Sequence, residues 1–402
     1  MIKKSYFFKE YHLNSNKFNN NLKKTQRAFS NLKFDIQNCK IPLLQSFKKD
    51  YFQDFSSPTI KKFSKYKNII IIGMGGSALG AKSIYNFFKE KIKKDVFFFD
   101  NLDENLYLEF KKLKKLKSSC FVIISKSGET VESITNLSIL FSNFSLKNKL
   151  VFITEIKDSS IVNIANKLNA EIIGHKNFIG GRYSVLSEAG MFPAALMGLN
   201  IKKFKVLGKL LNDKNFISSL IQNVAYIFTL NSQGLKNSVI LNYDSDLKDL
   251  SYWYQQLVSE SLGKKGKGIT TIIAETPKDH HSTMQLYLDG PKDKFFTFFN
   301  SENKKNNLKF SADIIKNNVK FLKNKKLRSI VNAQSKAVKN IFKIKKIPFR
   351  QISFNKKNEE ELGTIFIFFV LETLLLAKLM NVNPFNQPAV EQIKVETKKI
   401  LT

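Results

Sequence analysis

Two loops rich in glycine and hydroxyl side chains each follow a short apolar run. They are Gly73–Gly80, which follows Ile69–Ile72, and Ser125–Thr130, which follows Phe121–Ile124. Glycine lets a backbone approach an anion closely, and the free N–H groups at helix starts attract negative charge. The loops predict a phosphate cradle, with a dinucleotide-binding loop or plain capped turns as the alternatives. The predicted ligands in these loops are Gly75, Gly76, Ser77, Ser125, Lys126, Ser127 and Thr130.

Three further side chains could do acid–base chemistry on a bound phosphate ester. Arg182 follows two glycines, where a fixed guanidinium could stabilise an anion forming on a substrate oxygen. Glu260 ends a helical stretch rich in aromatic and apolar residues, and a carboxylate beside such a surface can act as a base near neutral pH. His281 is one of four histidines, and its imidazole titrates near neutrality.

Plainer roles compete with each of these interpretations. Arg182 could form a structural salt bridge, and a glutamate near a helix end usually faces solvent. A metal site at Asp279, His280 and His281 is disfavoured, because adjacent histidines in a loop rarely share one ion and no further ligand spacing accompanies them. We therefore predict neither a metal nor another cofactor.

The net charge of +33 comes almost wholly from lysine. The 402 residues include 66 basic and 33 acidic side chains, but only four of the basic ones are arginines, which leaves 62 lysines. Proteins that read nucleic acids favour arginine, whose planar fork matches guanine and phosphate. Lysine, asparagine, isoleucine and phenylalanine have A/T-rich codons, so compositional drift explains most of the excess. We predict no nucleic-acid partner, and keep a nucleic-acid binder only as a third class to be tested.

The sequence is typical of a reducing, cytoplasmic location. Cys39 and Cys120 are too few for a disulfide framework, and the N-terminus has no apolar signal core. The longest apolar stretch, Thr364–Met380, is interrupted by Glu372 and Lys378. We predict that it is a buried core helix and not a membrane span.

The elements that must position these residues alternate between strands and helices. Apolar strands that alternate with helices indicate parallel sheets covered on both faces. The predicted strands are Ile69–Ile72, Val96–Phe99, Phe121–Ile124, Leu150–Thr154, Glu171–Gly174, Val239–Tyr243, Ile269–Ala274, Phe295–Phe299 and Ile352–Phe354. The predicted helices are Ala78–Lys89, Val131–Leu140, Asp246–Leu262, Ser311–Leu322, Glu359–Met380 and Ala389–Leu401.

These elements predict an α/β fold with two doubly wound parallel sheets, each a three-layer α/β/α unit. A polar stretch near Ile201–Asn215 is the expected junction. The predicted organisation is an N-terminal wrapping segment at 1–60, a first unit with the phosphate cradle at 61–205, a second unit at 206–380 and a C-terminal helical arm at 381–402.

Six motifs in order resemble the glucose-6-phosphate isomerase family, within the sugar isomerase (SIS) domain superfamily. The motifs are the Gly-Gly-Ser loop, Ser-Lys-Ser-Gly-Glu-Thr, and the segments Gly180–Ser187, Gln255–Gly263, His280–Gln285 and Asn383–Lys394. The resemblance implies that both units are sugar isomerase domains. It also implies an aldose–ketose isomerase of glycolysis and gluconeogenesis that interconverts glucose 6-phosphate and fructose 6-phosphate through a cis-enediol(ate).

The same resemblance implies a role for each matched residue. Glu260 would move the proton between C2 and C1, Arg182 would steady the enediolate, and His281 and Lys394 would open the sugar ring. His281 would come from the partner subunit, which implies a homodimer. The further substrate ligands implied are Gly181, Gln256 and Gln387.

Two other functions share these motifs. A bifunctional phosphoglucose/phosphomannose isomerase would use the same base and enediol, so only the shape of the pocket would distinguish it. A non-catalytic sugar-phosphate-binding regulator would keep the cradle, but it need not keep Arg182, Glu260, His281 and Lys394, which are all present.

Overall fold

Parallel strands in two sheets form the framework of the protein. The computed structural model describes residues 15–112, 118–144, 146, 149–301, 308–311 and 317–402, and within them nine strands pair in parallel. The strands are β1 (Asn68–Ile72), β2 (Asp95–Phe99), β3 (Ser119–Ile124), β4 (Leu150–Thr154), β5 (Glu171–Gly174), β6 (Asn237–Asn242), β7 (Thr270–Glu275), β8 (Lys294–Ser301) and β9 (Phe349–Phe354). Each matches a predicted strand to within three residues at either end.

Helices connect the strands, and several begin at a capping side chain. Ser56, Asp103, Ser159, Asp213 and Asn358 each accept a hydrogen bond from a backbone N–H of the first helical turn. The α-helices are α1 (Ser15–Gln37), α2 (Ser57–Ser64), α3 (Gly76–Phe88), α4 (Glu104–Lys111), α5 (Val131–Asn143), α6 (Ser160–Lys167), α7 (Glu188–Leu196), α8 (Leu207–Leu210), α9 (Lys214–Ser232), α10 (Lys248–Leu262), α11 (Met284–Asp289), α12 (Leu327–Ile344), α13 (Glu359–Met380) and α14 (Pro388–Leu401). Short 3-10 helices occur at Pro42–Phe47, Gly181–Leu186, Ile201–Phe204, Ser245–Leu247, Lys278–His281 and Asn317–Leu322.

The first sheet has the strand order β2-β1-β3-β4-β5. Every residue of β1, β3 and β4 is buried, as expected for parallel strands covered on both faces. The chain passes from β1 to β2 on one side and to β3 on the other, so the order reverses between β1 and β3. The loops after these two strands therefore lie side by side at the carboxyl edge, where open α/β sheets bind ligands.

The second sheet has the order β7-β6-β8-β9, and helix α10, which follows β6, joins it to the first. Near the start of α10, the carbonyl of Asp249 accepts a hydrogen bond of 2.9 Å from Ser83 Oγ on α3. Near its end, Nε2 of Gln256 lies 2.9 Å from the position that a Cβ of Gly75 would occupy. The two helices thus run antiparallel, and α10 delivers its C-terminal residues to the carboxyl edge of the first sheet.

Helix α13 is the buried core helix that the sequence predicts. Nearly all of its residues are buried, from Glu361 to Met380. In the part of the chain that the structure describes, it is the one helix long and apolar enough to cross a membrane, and 83% of its apolar window is buried within the protein. The carboxylate of Glu372 on this helix is paired with Arg350 at 2.5 Å and accepts a hydrogen bond from Tyr254 at 2.7 Å. A buried charge needs such partners.

The N-terminal segment packs on both halves of the chain. In α1, Asn21 Nδ2 donates to Thr229 Oγ1 of α9 at 3.0 Å. The buried ammonium of Lys205 donates to the carbonyls of Ser46 at 2.9 Å and Leu186 at 3.0 Å. Burial lowers the pKa of Lys205 to about 7. The segment thus closes over the junction, where 205/206 stays our predicted division between the two units.

One predicted helix differs from the structure. In place of the second half of a helix at Ser311–Leu322, residues Asn317–Leu322 form a 3-10 helix with a kink at Val319, and residues 312–316 lie outside the described residues. The helix that follows β8, α12, was not predicted. Its apolar positions recur with helical spacing, between lysine, asparagine and serine residues.

Candidate active site

The loop after β1 is shaped by glycines at positions where a side chain would not fit. Gly75 has φ +50°, a conformation that L residues rarely adopt. A Cβ at Gly76 would lie 2.2 Å from the carbonyl carbon of Gly181, so the two predicted ligand segments are in backbone contact. Ser77 follows, half-buried in the first turn of α3. The structure therefore brings the first loop directly against the segment that carries Arg182.

The loop after β3 is held by hydroxyl groups. Ser125 is buried, and its Oγ lies 2.9 Å from Oγ1 of Thr130, the residue before α5. Gly128 has φ +73°, and a Cβ there would lie 2.2 Å from Ser159 Oγ. Ser127 is exposed at the tip, where its Oγ accepts a hydrogen bond from the N–H of Glu129. The loop thus presents its tip at the N-terminus of α5, beside the first loop.

Lys126 is held in place by the neighbouring loops of the sheet. Its Nζ donates to the carbonyl of Asn177 at 2.6 Å and lies 3.6 Å from Oε1 of Glu155. Burial lowers the pKa of Lys126, although the carboxylate of Glu155 acts in the opposite direction. The side chain is therefore anchored at the carboxyl edge and can supply positive charge there.

Glu260, at the end of α10, is held between two donors. Its Oε2 lies 2.9 Å from Nη1 of Arg182, and its Oε1 accepts a hydrogen bond of 2.6 Å from Gln256 Nε2. The Arg182 side chain is 1% exposed, whereas that of Glu260 is 29% exposed. The surroundings of Glu260 differ from the apolar ones that the sequence suggested. The carboxylate is fixed by polar partners while its open side faces solvent.

All five N–H groups of Arg182 have acceptors in the protein. Nη1 also donates to Oε1 of Gln387 at 2.8 Å, and Nη2 donates to the carbonyls of Pro384 at 2.5 Å and Asn386 at 3.3 Å. The fifth bond runs from Nε to Ser261 Oγ at 2.9 Å. One guanidinium thus joins the segment after β5, the end of α10 and the loop before α14.

His281 and Lys394 lie outside this group within a single chain. His281 is exposed in the 3-10 helix after β7, and its neighbour His280 is bonded to Tyr243 OH at 2.7 Å. Lys394 is 64% exposed on α14 and pairs with Glu391 at 2.7 Å. Among the described residues, neither side chain has a polar contact with Arg182 or Glu260. In the same part of the chain, no cluster of three or more His, Cys, Asp or Glu side chains could hold a metal ion.

Three residues of the site were missed in the sequence. Ser261 and Tyr183 are buried beside Arg182, with 2.9 Å between their oxygens. The Nζ of Lys264 donates to the carbonyls of Glu260 at 2.6 Å and Ser261 at 2.8 Å, and burial together with Arg182 lowers its pKa to about 8. A lysine just after a helix end is a known signal for such carbonyl contacts. With 62 lysines in the chain, that signal could not be singled out.

The sequence and the fold are similar to those of known proteins. Residues 42–402 match the family described as Phosphoglucose isomerase. A glucose-6-phosphate isomerase of Methanocaldococcus jannaschii is 31% identical over 377 residues, which cover 91% of this chain and 91% of that protein. A glucose-6-phosphate isomerase of Campylobacter jejuni is 31% identical over 354 residues, which cover 83% of this chain and 85% of that protein.

Two solved structures share the fold. A hypothetical protein from Thermus thermophilus has a TM-score of 0.82 and 21% identity, with 100% of both chains covered. A glucose-6-phosphate isomerase from Chlamydia trachomatis has a TM-score of 0.70 and 17% identity, with 89% of this chain and 78% of that chain covered. The two parallel-sheet units are therefore sugar isomerase folds, followed by a C-terminal helix. With the family match over most of its length, the chain belongs to the phosphoglucose isomerase family and is an isomerase.

Proposed function

We propose that the protein interconverts D-glucose 6-phosphate and D-fructose 6-phosphate through a cis-enediolate, with Glu260 as the base. The observation that carries the proposal is the contact of 2.9 Å between Arg182 and Glu260 at the carboxyl edge of the first sheet. A carboxylate beside a guanidinium provides a proton acceptor and an oxyanion stabiliser in one place. The neighbouring loops after β1 and β3 provide a place for the phosphate.

The phosphate group is bound by the two loops. Ser77, Ser125, Ser127 and Thr130 supply hydroxyl groups near the N-termini of α3 and α5, where the helix dipoles favour an anion. The anchored ammonium of Lys126 adds positive charge. Binding at this end orients the sugar, so that proton transfer at the other end becomes effectively intramolecular.

Glu260 moves the carbon-bound proton, acting first as base and then as acid. Its carboxylate takes the proton from C2 of the open-chain aldose, the electron pair forms the C1–C2 double bond, and the carbonyl oxygen becomes the enediolate. The same proton then returns to C1, the C2 hydroxyl passes its proton to the enediolate oxygen on C1, and the C2 oxygen becomes the ketone. Since all five N–H groups of Arg182 already have acceptors, an enediolate oxygen must replace one of them. The neutral amide of Gln387 is a weaker acceptor than the Glu260 carboxylate on the same nitrogen, and Gln387 stands just before the exposed helix α14.

Ring opening requires His281 and Lys394, which we propose reach the site in a homodimer. Helix α14 has no buried residue, although Val390, Ile393 and Ile400 lie on one side of it at helical spacing. An unpartnered apolar stripe of this kind is typical of a helix that packs on another chain. His281 is exposed on the second sheet, so it can serve the site of the partner subunit.

Mixing two inactive variants tests both the residues and the sharing of the site. Glu260→Gln and His281→Asn subunits are unfolded together, refolded as a mixture and assayed for conversion of fructose 6-phosphate. If His281 acts across the interface, half of the dimers are mixed and each has one intact site, so about a quarter of the wild-type activity returns. If His281 acts within its own chain, every site in the mixture lacks one group and no activity returns.

The alternative functions of the same site give different results in binding and conversion assays. A bifunctional enzyme would also convert mannose 6-phosphate to fructose 6-phosphate, which the same assay detects, whereas a non-catalytic regulator would bind both sugars and convert neither. Binding of duplex DNA in competition with fructose 6-phosphate would favour the nucleic-acid class.

We place the protein in the cytoplasm, because the exposed thiol of Cys39 forms no disulfide among the described residues. Cell fractionation with a tagged chain tests this.

A further inference from the structure

Two buried hydroxyl groups complete a closed ring of hydrogen bonds around Arg182. Nε of Arg182 donates to Ser261 Oγ, which lies 2.9 Å from the hydroxyl of Tyr183. That hydroxyl donates to the carbonyl of Pro384 at 2.9 Å, and the same carbonyl accepts Nη2 of Arg182 at 2.5 Å. Each of the three side chains is almost completely excluded from solvent.

The hydrogen bonds of this ring can run in only one direction from donor to acceptor. The proton of the Tyr183 hydroxyl goes to Pro384, so the hydrogen bond between the two hydroxyls must be donated by Ser261. Ser261 in turn accepts from Arg182, and the chain runs from the guanidinium through Ser261 and Tyr183 to the carbonyl. Bonds arranged head to tail in a low-dielectric interior strengthen one another.

The ring fixes the plane of the guanidinium from two sides. Nε and Nη2 both donate into the hydrogen-bonded ring. The guanidinium carbon also lies 5.0 Å from the centre of the aromatic ring of Tyr183. Nη1 is the nitrogen outside the ring, and it is the one that contacts Glu260. Rotation of the guanidinium away from Glu260 would break two buried bonds at once.

We propose that Ser261 and Tyr183 are positioning residues for the isomerisation: they hold Arg182 so that Nη1 faces Glu260 and the enediolate. Neither hydroxyl needs to touch the sugar. The proposal rests on the role of Arg182 in the proposed function. It implies that loss of either hydroxyl lowers turnover through Arg182 and leaves phosphate binding intact.

Steady-state kinetics of four single variants and one double variant test this role. Ser261→Ala and Tyr183→Phe should each lower kcat by about 10- to 100-fold with little change in KM, because small misplacements of a catalytic group are costly. In an Arg182→Lys background, Ser261→Ala should cost less than about twofold, since lysine has no Nε donor for the ring. Tyr226→Phe removes the hydroxyl of another buried tyrosine, in α9, and should leave kcat unchanged.

The outcomes separate this proposal from the proposed function. If the wild-type protein does not isomerise, the proposed function is wrong. If Arg182→Lys keeps wild-type turnover, the protein isomerises but the role of Arg182, and with it the positioning role, is wrong. If Arg182→Lys loses turnover while Ser261→Ala and Tyr183→Phe keep it, the positioning role is wrong. Equal costs of Ser261→Ala in both backgrounds also overturn it, because the hydroxyl would then act independently of Arg182. Should Ser261→Ala fail to fold, Tyr183→Phe decides alone through its kcat and KM.

Discussion

Nη1 of Arg182 lies 2.9 Å from Oε2 of Glu260, although 78 residues separate the two in the chain. Arg182 follows the last strand of the first sheet, and Glu260 ends the helix that follows the first strand of the second. The pair therefore forms only where the two α/β units meet, and neither unit contains it alone.

Replacement of Glu260 by glutamine should abolish chemistry and spare binding. The amide keeps the size of the side chain but cannot accept the C2 proton, so we expect isomerisation to fall by about 10² to 10⁴-fold. Fructose 6-phosphate binding, measured by calorimetry, should stay near the wild-type value. Glu171→Gln, which breaks the surface pair with Lys62, is the matched control and should be fully active. Near wild-type turnover of Glu260→Gln would refute the assignment.

A methyl group at Gly76 should destabilise the protein. The new Cβ would lie 2.2 Å from backbone of Gly181, and neither loop can move without disturbing Arg182. We expect a loss of about 1–3 kcal/mol or more in the free energy of unfolding, measured with urea. Gly208→Ala is the control, because nothing lies within 4 Å of its Cβ and alanine favours the helix. Equal stability of the two variants would show that the contact is not tight.

Loss of charge at Glu372 should cost much more than loss of a surface pair. Glu372→Gln leaves the guanidinium of Arg350 buried without its counter-ion, which typically costs about 3–5 kcal/mol in unfolding free energy. Lys209→Gln breaks the exposed pair with Glu360 and should cost about 0–1 kcal/mol. Urea unfolding at neutral pH measures both. Similar losses of unfolding free energy in the two variants would mean that burial does not make the pair of Glu372 and Arg350 more costly to break than a surface pair.

The buried lysine at the junction should make stability depend on alkaline pH. The unfolded chain keeps the ordinary lysine pKa of 10.5, whereas burial lowers the pKa of Lys205 in the folded chain to about 7. Between these values the unfolded state binds a proton that the folded state lacks, so stability rises with pH, by up to about 1.4 kcal/mol per unit. Below both values the two states are protonated alike and this dependence vanishes.

Lys205→Met tests that dependence. We compare urea unfolding of the wild type and the variant at several pH values from about 6 to 9. The difference between them should stay constant below pH 7 and then shift in favour of the wild type as the pH rises. A constant difference across the whole range would mean that Lys205 does not titrate there.

The excess of positive charge should increase the rate at which the protein binds its substrate. A net charge of +33 attracts a dianionic sugar phosphate over long distances, and salt screens that attraction. We expect kcat/KM to fall as sodium chloride is raised from about 0.02 to 0.5 M, because the added salt shortens the Debye length, while kcat changes little. A kcat/KM that does not respond to salt would show that the lysine excess has no part in substrate binding.

The sheets were the most predictable part of the molecule. Runs such as Phe121–Ile124 and Leu150–Thr154 have no polar residue until their ends, and only strands buried on both faces need that pattern. The apolar pattern did not predict helix α12. Its buried side, which includes Phe342, is narrow, and its exposed side is rich in lysine and asparagine.

The site was predictable as a set of residues but not as a geometry. Arg182, Glu260 and the two loops could be named because their types and order matched motifs. The ring through Ser261 and Tyr183 could not be named, since serine next to glutamate on a helix has no distinctive spacing. His281 and Lys394 were named from motifs as well, but their distance from Arg182 and Glu260 in the proposed dimer cannot be read from motif order.

The backbone contact between Gly76 and Gly181 fixes the distance between two parts of the proposed site. Gly76 begins the helix after the loop that we propose binds the phosphate, and Gly181 precedes Arg182, which we propose stabilises the enediolate. Because no side chain separates the two glycines, the distance between these two parts of the site cannot shorten. On this proposal a pentose phosphate, shorter by one carbon, would reach only one end at a time, so discrimination among sugars would come from the fixed separation of two backbone segments and not from any group that touches the missing carbon.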